Sequence, residues 1–240
     1  MAAGLKQIIK EKIYKRLGVP YNRYGLPNSL TKYLPHNRAI ILADVGAHDG
    51  DFTKMIDGYC GITRGILVEA LPDKAEKLKI IFNEPRFIVF ECAASSQNGV
   101  TEFEINEAKA TSSMLRIKRD LPELSNVNLG RKTVIKCAAR TLDDIVKEAR
   151  IEKLDLMKLD VQGAEHLVLD GASEIIRNTA IVWTEVSFKP LYDQASDFII
   201  LYNQFYTLGF KFMELEPGFR GPDGELLQCD ALFLNERILK

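Results

Sequence analysis

A chain of 240 residues with 46% apolar and 27% charged side chains is long enough for one large domain with a real core and too short for two comfortable ones. Its composition excludes a disordered chain. Its formal charge of −1 excludes a protein that holds nucleic acid by bulk electrostatics.

The charge is uneven. The first 40 residues carry eight Lys/Arg and one Glu, so the remainder is net acidic. Within them, Leu5, Ile8, Ile9, Ile13 and Leu17 recur at helical spacing among Lys6, Lys10, Lys12, Lys15 and Arg16, which predicts an amphipathic helix over 5–17. Such a helix docks on its own domain, on a second copy in a homodimer, or on an anionic membrane surface as a peripheral contact. Residues 1–38 thus form a basic helix and arm, and the main domain occupies 39–240. No apolar run approaches the ~18 residues of a membrane span, and charge interrupts the N-terminal stretch too often for a signal peptide. A cytoplasmic location is the expectation. Cys60, Cys92, Cys137 and Cys229 include no Cys-x-x-Cys pair and read as small buried thiols in a reducing compartment. His36, His48 and His166 lack zinc-ligand spacing.

Ala39–Val45 is an apolar run ending in a glycine-containing turn, as expected of a strand buried on both faces. A short helix over 51–57, a strand over Gly65–Glu69, a helix over Asp73–Phe82 and a strand over Arg86–Cys92 follow. This rhythm describes βαβ units and a parallel, doubly wound sheet. Val100–Ile105 and Thr133–Cys137 have strand composition and flank a polar stretch, Asn106–Lys132, long enough to be a functional lid. Thr141 caps a helix over Thr141–Ala149, with Asp143 and Asp144 in its first turn. The strands Leu154–Leu159 and Ile181–Val186 alternate with helices over Ala164–Ile176 and Ala195–Leu208. Phe210–Leu215 and Ala231–Leu234 close the chain as a hairpin across the turn-rich Pro217–Gly224.

The sharpest motif is Asp44-Val45-Gly46-Ala47-His48-Asp49-Gly50 at the end of the first strand. Gly46 and Gly50 permit a sharp turn and close approach of a ligand to backbone N–H groups. Their Gly-x-x-x-Gly spacing fits a dinucleotide poorly. Glu69 ends the second strand, where an acid commonly accepts both hydroxyls of a ribose.

Together with Glu69-Ala70-Leu71-Pro72, Ala93–Ser95, Ser112-Ser113-Met114, Thr141-Leu142-Asp143-Asp144, Lys158–Glu165 and Glu185-Val186, that motif occurs in the order seen in FkbM-type methyltransferases, which the chain resembles over about residues 39–190. The resemblance implies an α/β class I methyltransferase (Rossmann-like) fold with a seven-stranded, mostly parallel sheet of order 3-2-1-4-5-7-6, strand 7 antiparallel. It implies S-adenosyl-L-methionine as cofactor and O-methylation of sugars, glycan precursors or natural products. Carried over by position, Asp44, Gly46, Ala47 and Gly50 shape the methionine side of the cofactor site, Glu69 with Ala70 the ribose side, and Cys92 and Ala93 the adenine side. His48 could contact the cofactor carboxylate or approach the acceptor. Asp160 stands where the transferable methyl points. The family usually has Asn at His48 and Glu at Gln162, so this chain lacks one acid that could serve as base or metal ligand.

Methyl transfer to a hydroxyl needs alignment and removal of a proton. Asp160 is the first candidate for that role, Glu185 at the next strand end the second, and His166 the third. Asp160 and Glu185 could share a divalent cation, though no metal is expected with Gln162 in place of the acid. Ser112, Ser113 and Arg116 on the lid are candidate acceptor contacts, and Arg116, Lys118 and Arg119 would suit a phosphate-bearing acceptor. Three rival readings are a non-catalytic scaffold that keeps the cofactor fold, an N-methyltransferase acting on a small amine or peptide, and a nicotinamide-dependent oxidoreductase. A nucleic-acid methyltransferase is disfavoured because no Asn/Asp-Pro-Pro-aromatic motif occurs.

Overall fold

Ile40–Val45 (β1) and Leu154–Leu159 (β7) lie side by side in the sheet because nine of their twelve side chains are apolar and can be covered from either face. The other strands are Ile62–Glu69 (β2), Phe87–Glu91 (β3), Thr179–Ser187 (β8), Phe210–Pro217 (β9) and Gln228–Asn235 (β10). Their order is β3-β2-β1-β7-β8-β10-β9, with β10 antiparallel to both neighbours. This is the order and the single reversal that the resemblance implies. The computed structural model describes Asn22, residues 24–35 and residues 37–239. The helix expected over 5–17 lies outside the described residues.

Alternate side chains of β1 enter two cores. Ala43 and Val45 pack with Ile66, Val68, Met157 and Val182 beneath Leu142–Glu148 (α4) and Phe198–Thr207 (α6). Ile40 and Leu42 face the other way, toward Asp51–Tyr59 (α2) and Pro72–Ile81 (α3). Leu26, Leu30 and Leu34, on and beside the short helix Asn28–Thr31 (α1), join that second core. The described part of the arm is therefore a lid on the domain's own core.

Two helix boundaries differ from the sequence reading. The helix expected over Ala164–Ile176 is interrupted: Glu165–Asp170 (α5) ends where Gly171 presses against the Ser95 carbonyl, and a 3-10 turn, Ile175–Asn178, follows. A Cβ on Gly171 would lie 2.1 Å from that oxygen. The helix expected from Ala195 starts at Phe198, because the Asp197 carboxylate accepts the Ile200 N–H at 2.9 Å as an N-cap. The Thr141 cap forms as expected, its hydroxyl accepting the Asp144 N–H.

The two middle strands, Gly99–Asn106 (β5) and Lys132–Arg140 (β6), pair antiparallel, and Ala93–Ala94 (β4) joins β6 in a small second sheet. The segment between β5 and β6 is no solvated loop. Ile117, Leu124 and Leu129 pack with Leu191, Tyr192 and Leu227 in a core of their own, which fastens this roof over the carboxyl edge of β1, β2 and β7. No helix of the described residues is long and apolar enough to cross a membrane.

Candidate active site

The carboxyl ends of β1, β2 and β7 and the overlying roof enclose a cavity of about 260 Å³, at the edge where open α/β sheets bind ligands. Its two ends differ chemically. Ala70, Leu71, Ala93 and Phe103, backed by Met114 and Ile135, form an apolar slot. Gly46, His48, Asp49, Lys158 and Asp160 form a polar, charged end. A flat heterocycle fits the first and a zwitterionic tail the second.

Glu69 stands between them, on the cavity wall yet only 6% exposed. One carboxylate oxygen accepts the His48 N–H at 2.7 Å and the other the Leu71 N–H at 2.8 Å. Burial raises its pKa, and those two donors only partly offset the rise. Each oxygen keeps a lone pair for a further donor, as a pair of vicinal hydroxyls requires. The turn before it must be glycine: Gly46 has φ +80°, and a Cβ there would sit 1.9 Å from the Asp160 carbonyl oxygen. Gly50 supports rather than lines the cavity, since it caps α2 at φ +72° with Phe82 and Leu78 packed against it. Asp44 is also behind the wall, fully buried and accepting the Thr53 hydroxyl at 2.7 Å.

The charged end is built on β7. Lys158 lies 3.2 Å from Asp160 and 3.6 Å from Asp44 and donates to the Gly46 carbonyl at 3.3 Å. Burial opposes its charge, yet the two carboxylates outweigh it and raise its pKa. For Asp160 burial likewise acts against ionisation, but Lys158 and the Gln162 amide prevail and hold its pKa below the ordinary value. Gln162, at φ +56°, is the hub of the next layer. Its amide nitrogen donates to Asp160 at 2.8 Å and to Glu185 at 3.2 Å, and its oxygen lies 2.9 Å from the Tyr192 hydroxyl. The amide thus separates two carboxylates that a Glu would crowd. Burial first, then Asp160, Glu165 and Asp230, push the Glu185 pKa well above the ordinary value. Glu165 is pushed up to about 7, with burial again the main cause, although it accepts the Val161 and Gly163 N–H groups.

Gln162→Glu is accordingly expected to destabilise the fold in a pH-dependent way. The variant loses both donors, and its new carboxyl faces Asp160 and Glu185, so its folded pKa lies above the ~4.3 of a free glutamate. The deficit should be smallest near pH 4, where the new acid is neutral folded or unfolded. It should grow as pH rises through the raised folded pKa, toward about 2–4 kcal/mol. Urea melts of both proteins at pH 4 and pH 8 measure it, and a deficit independent of pH would exclude charge crowding as its cause.

Of the residues singled out from the sequence, Gly46, Ala47, His48, Glu69, Ala70, Cys92, Ala93, Ser112 and Asp160 line the cavity. Glu185 does not: it sits behind Gln162, bonded also to the Gln228 amide at 2.8 Å. His166, half-buried on α5, faces elsewhere. Ser113 is spent on structure, its hydroxyl donating to the Val161 carbonyl and accepting the Leu115 N–H. The three roof cations do not converge on the cavity. Arg116 is 74% exposed beside Glu102, Lys118 donates to the Pro190 carbonyl, and Arg119 binds the Gly130 carbonyl and Asn106. Ile117, between Arg116 and Lys118, turns inward to the roof core instead. Residues missed from the sequence include Lys158, Asp49, Phe52 and Lys109, and Leu71 and Phe103 of the apolar slot. The alternation of β7 around Asp160 could have flagged Lys158. Lys109 reaches the rim only through its ion pair with Asp73. Among the described residues no group of three or more His, Cys, Asp or Glu has metal-holding geometry.

Residues 44–212, well over half of the chain, match the family model described as the methyltransferase FkbM domain. The 2-O-methyltransferase NoeI of Sinorhizobium fredii (strain NBRC 101917 / NGR234) is 34% identical over 161 residues, covering 64% of this chain and 65% of that protein. The chain therefore spans just under two thirds of that relative's length. The crystal structure of a methyltransferase FkbM from Methylobacillus flagellatus KT superposes with a TM-score of 0.54 at 16% identity, over 85% of this chain and 45% of that one. At that identity the likeness speaks for the fold alone.

Proposed function

The chain belongs to the FkbM methyltransferase family, and from that premise we infer that it moves the methyl group of S-adenosylmethionine to a hydroxyl of a sugar or glycan precursor. The observation that carries this reading is Glu69, a buried carboxylate with both oxygens fixed on the wall between an apolar slot and a charged pocket. The residues fit the cofactor: Ala70, Leu71, Ala93 and Phe103 would hold the adenine, Glu69 the ribose hydroxyls, and the Gly46–His48 turn the methionine end. When bound, the cofactor supplies a methyl carbon on a sulfonium, already a strong electrophile. The protein's part is then to exclude water, align the acceptor oxygen and receive its proton.

Asp160 suits alignment better than proton removal. Lys158 and Gln162 already stabilise its ionised form, which weakens it as a base but leaves it a strong acceptor for a hydroxyl. An oxygen acceptor is supported by the 34% identical relative, a 2-O-methyltransferase by name. An uncharged acceptor is supported by Arg116, Lys118 and Arg119, all of which are engaged or exposed away from the cavity. Calorimetric titration with S-adenosylmethionine and S-adenosylhomocysteine tests the cofactor. Micromolar binding followed by mass-detected methylation in a panel of neutral sugars is the expected result. Binding without transfer to any acceptor would favour a scaffold role, and absence of binding would overturn the reading.

A further inference from the structure

We propose that Tyr192 is a positioning residue for the transfer: its hydroxyl orients the Gln162 side-chain amide, and that amide aims the Asp160 carboxylate at the acceptor hydroxyl. The proposal rests on the methyl-transfer reading above. Tyr192 stands outside the cavity, whereas Gln162 and Asp160 line it.

The links are hydrogen bonds of ordinary length. Tyr192 Oη lies 2.9 Å from Gln162 Oε1 and 3.1 Å from the Thr111 carbonyl oxygen. One phenol proton cannot fully serve both. The Thr111 carbonyl already accepts the Asn106 side-chain amide at 2.9 Å, and among the described residues Gln162 Oε1 has no other donor, so the proton belongs to Gln162. Burial first, then the carboxylates of Glu185, Glu165, Asp160 and Glu104, push the Tyr192 pKa well above the ordinary value, which keeps the phenol a donor. At its other end the amide nitrogen donates to Asp160 Oδ1 at 2.8 Å and to Glu185 at 3.2 Å. Turned over, the amide would set its oxygen against the ionised Asp160. The phenol therefore selects the orientation that the carboxylate needs.

The phenol ring is itself anchored. It is 2% exposed and packs with Ile117, Leu124 and Leu129 of the roof. It also presses on the turn that carries Gln162: a Cβ on Gly163 would lie 3.1 Å from Tyr192 Cδ2. Asp160 is in turn held at two points, by the Gln162 amide on Oδ1 and by Lys158 at 3.2 Å from Oδ2. Its side chain is still 34% exposed on the cavity wall, and each oxygen keeps a lone pair for an incoming hydroxyl. Held at one point only, the carboxylate would be free to swing about its Cβ–Cγ bond. Misplacing an aligning group by ~1 Å can cost about 100-fold in rate.

Tyr192→Phe in the full chain removes the hydroxyl and keeps the ring, and thermal melts check that the fold survives. In wild type the Gln162 side-chain amide protons, identified in ¹H–¹⁵N spectra by their loss in Gln162→Ala, should exchange slowly with water. In Tyr192→Phe they should exchange fast. The Asp160 carboxyl ¹³C signal, identified by its loss in Asp160→Asn, should titrate at a higher pH in Tyr192→Phe. Burial opposes ionisation of Asp160, and Lys158 and the Gln162 donor together hold its pKa down; only the second is lost. The other charged groups around it, Lys158, His48, Glu165, Glu185 and Asp230, are unchanged. At saturating S-adenosylmethionine, with the neutral sugar that wild type methylates, kcat should fall at least ~10-fold, while S-adenosylhomocysteine affinity stays within about threefold. Gln162→Ala should fall as far, and adding Tyr192→Phe to it should cost no more than about twofold further. Losses that multiply in the double variant would overturn the proposal. So would a Tyr192→Phe enzyme with wild-type kcat and an unmoved Asp160 titration, or rapid exchange of the Gln162 amide in wild type. Failure of wild type to bind S-adenosylhomocysteine would instead overturn the methyl-transfer reading, and this proposal with it.

Discussion

Glu69→Ala is expected to weaken S-adenosylmethionine binding at least ~100-fold, about 2.7 kcal/mol. The carboxylate would accept two ribose hydroxyls, and hydrogen bonds to a charged group contribute about 1.5–3 kcal/mol each. Truncation also frees the His48 and Leu71 N–H groups, so the turn proposed to hold the methionine end loses its anchor. Glu69→Gln should fall between the two, because its amide nitrogen meets one of those N–H donors head-on. Isothermal titration of the three proteins settles the order, and thermal melts separate lost binding from lost fold. An affinity for Glu69→Ala within threefold of wild type would remove the ribose assignment. Because burial raises the Glu69 pKa, cofactor affinity should begin to fall, as pH drops, at a higher pH than the ~4.3 of an exposed glutamate. The protonated acid no longer accepts from both hydroxyls.

Gly46→Ala should be the most damaging small substitution in the cavity. The new methyl would lie 1.9 Å from the Asp160 carbonyl oxygen and 2.8 Å from its carbon, both backbone atoms. Neither side can yield cheaply. The Gly46 N–H is bonded to the Val68 carbonyl at 2.9 Å, and the Asp160 N–H to the Val45 carbonyl at 3.0 Å, so the clash is held between three strands. Residue 46 must also keep φ +80°, which a side chain resists. A loss above about 3 kcal/mol is expected, or roughly 6–12 °C in Tm for a domain of this size, together with loss of cofactor binding. A calorimetric Tm within 2 °C of wild type would show that β1 and β7 can part at this edge.

The sheet was legible because its strands are apolar on both faces and punctuated by Gly and acid at their carboxyl ends. Val45-Gly46 and Val68-Glu69 carry that punctuation. The cavity wall followed from it, since topology delivers those ends to one edge. The roof was not legible. Ile117, Leu124 and Leu129 have no helical or alternating period, and the residues that make them a core, Leu191, Tyr192 and Leu227, lie more than 60 positions away. The charges between them dominated the reading, yet Lys118 and Arg119 are fasteners for backbone carbonyls. The break at Gly171 was hidden for the same reason: what forbids a side chain there is the distant Ser95 carbonyl. The charged end was half visible: the departure from Asn at His48 showed in the motif, but Lys74 and Lys77, which hold Asp49, come from a helix 25 and 28 positions on.

Tyr192 lies on the segment between β8 and α6, and its hydroxyl touches both the Thr111 carbonyl of the roof and the Gln162 amide oxygen of the floor. Tyr192 lines no part of the cavity, yet it ties roof to floor from behind, so the height of the roof is held by a side chain that no molecule in the cavity would touch.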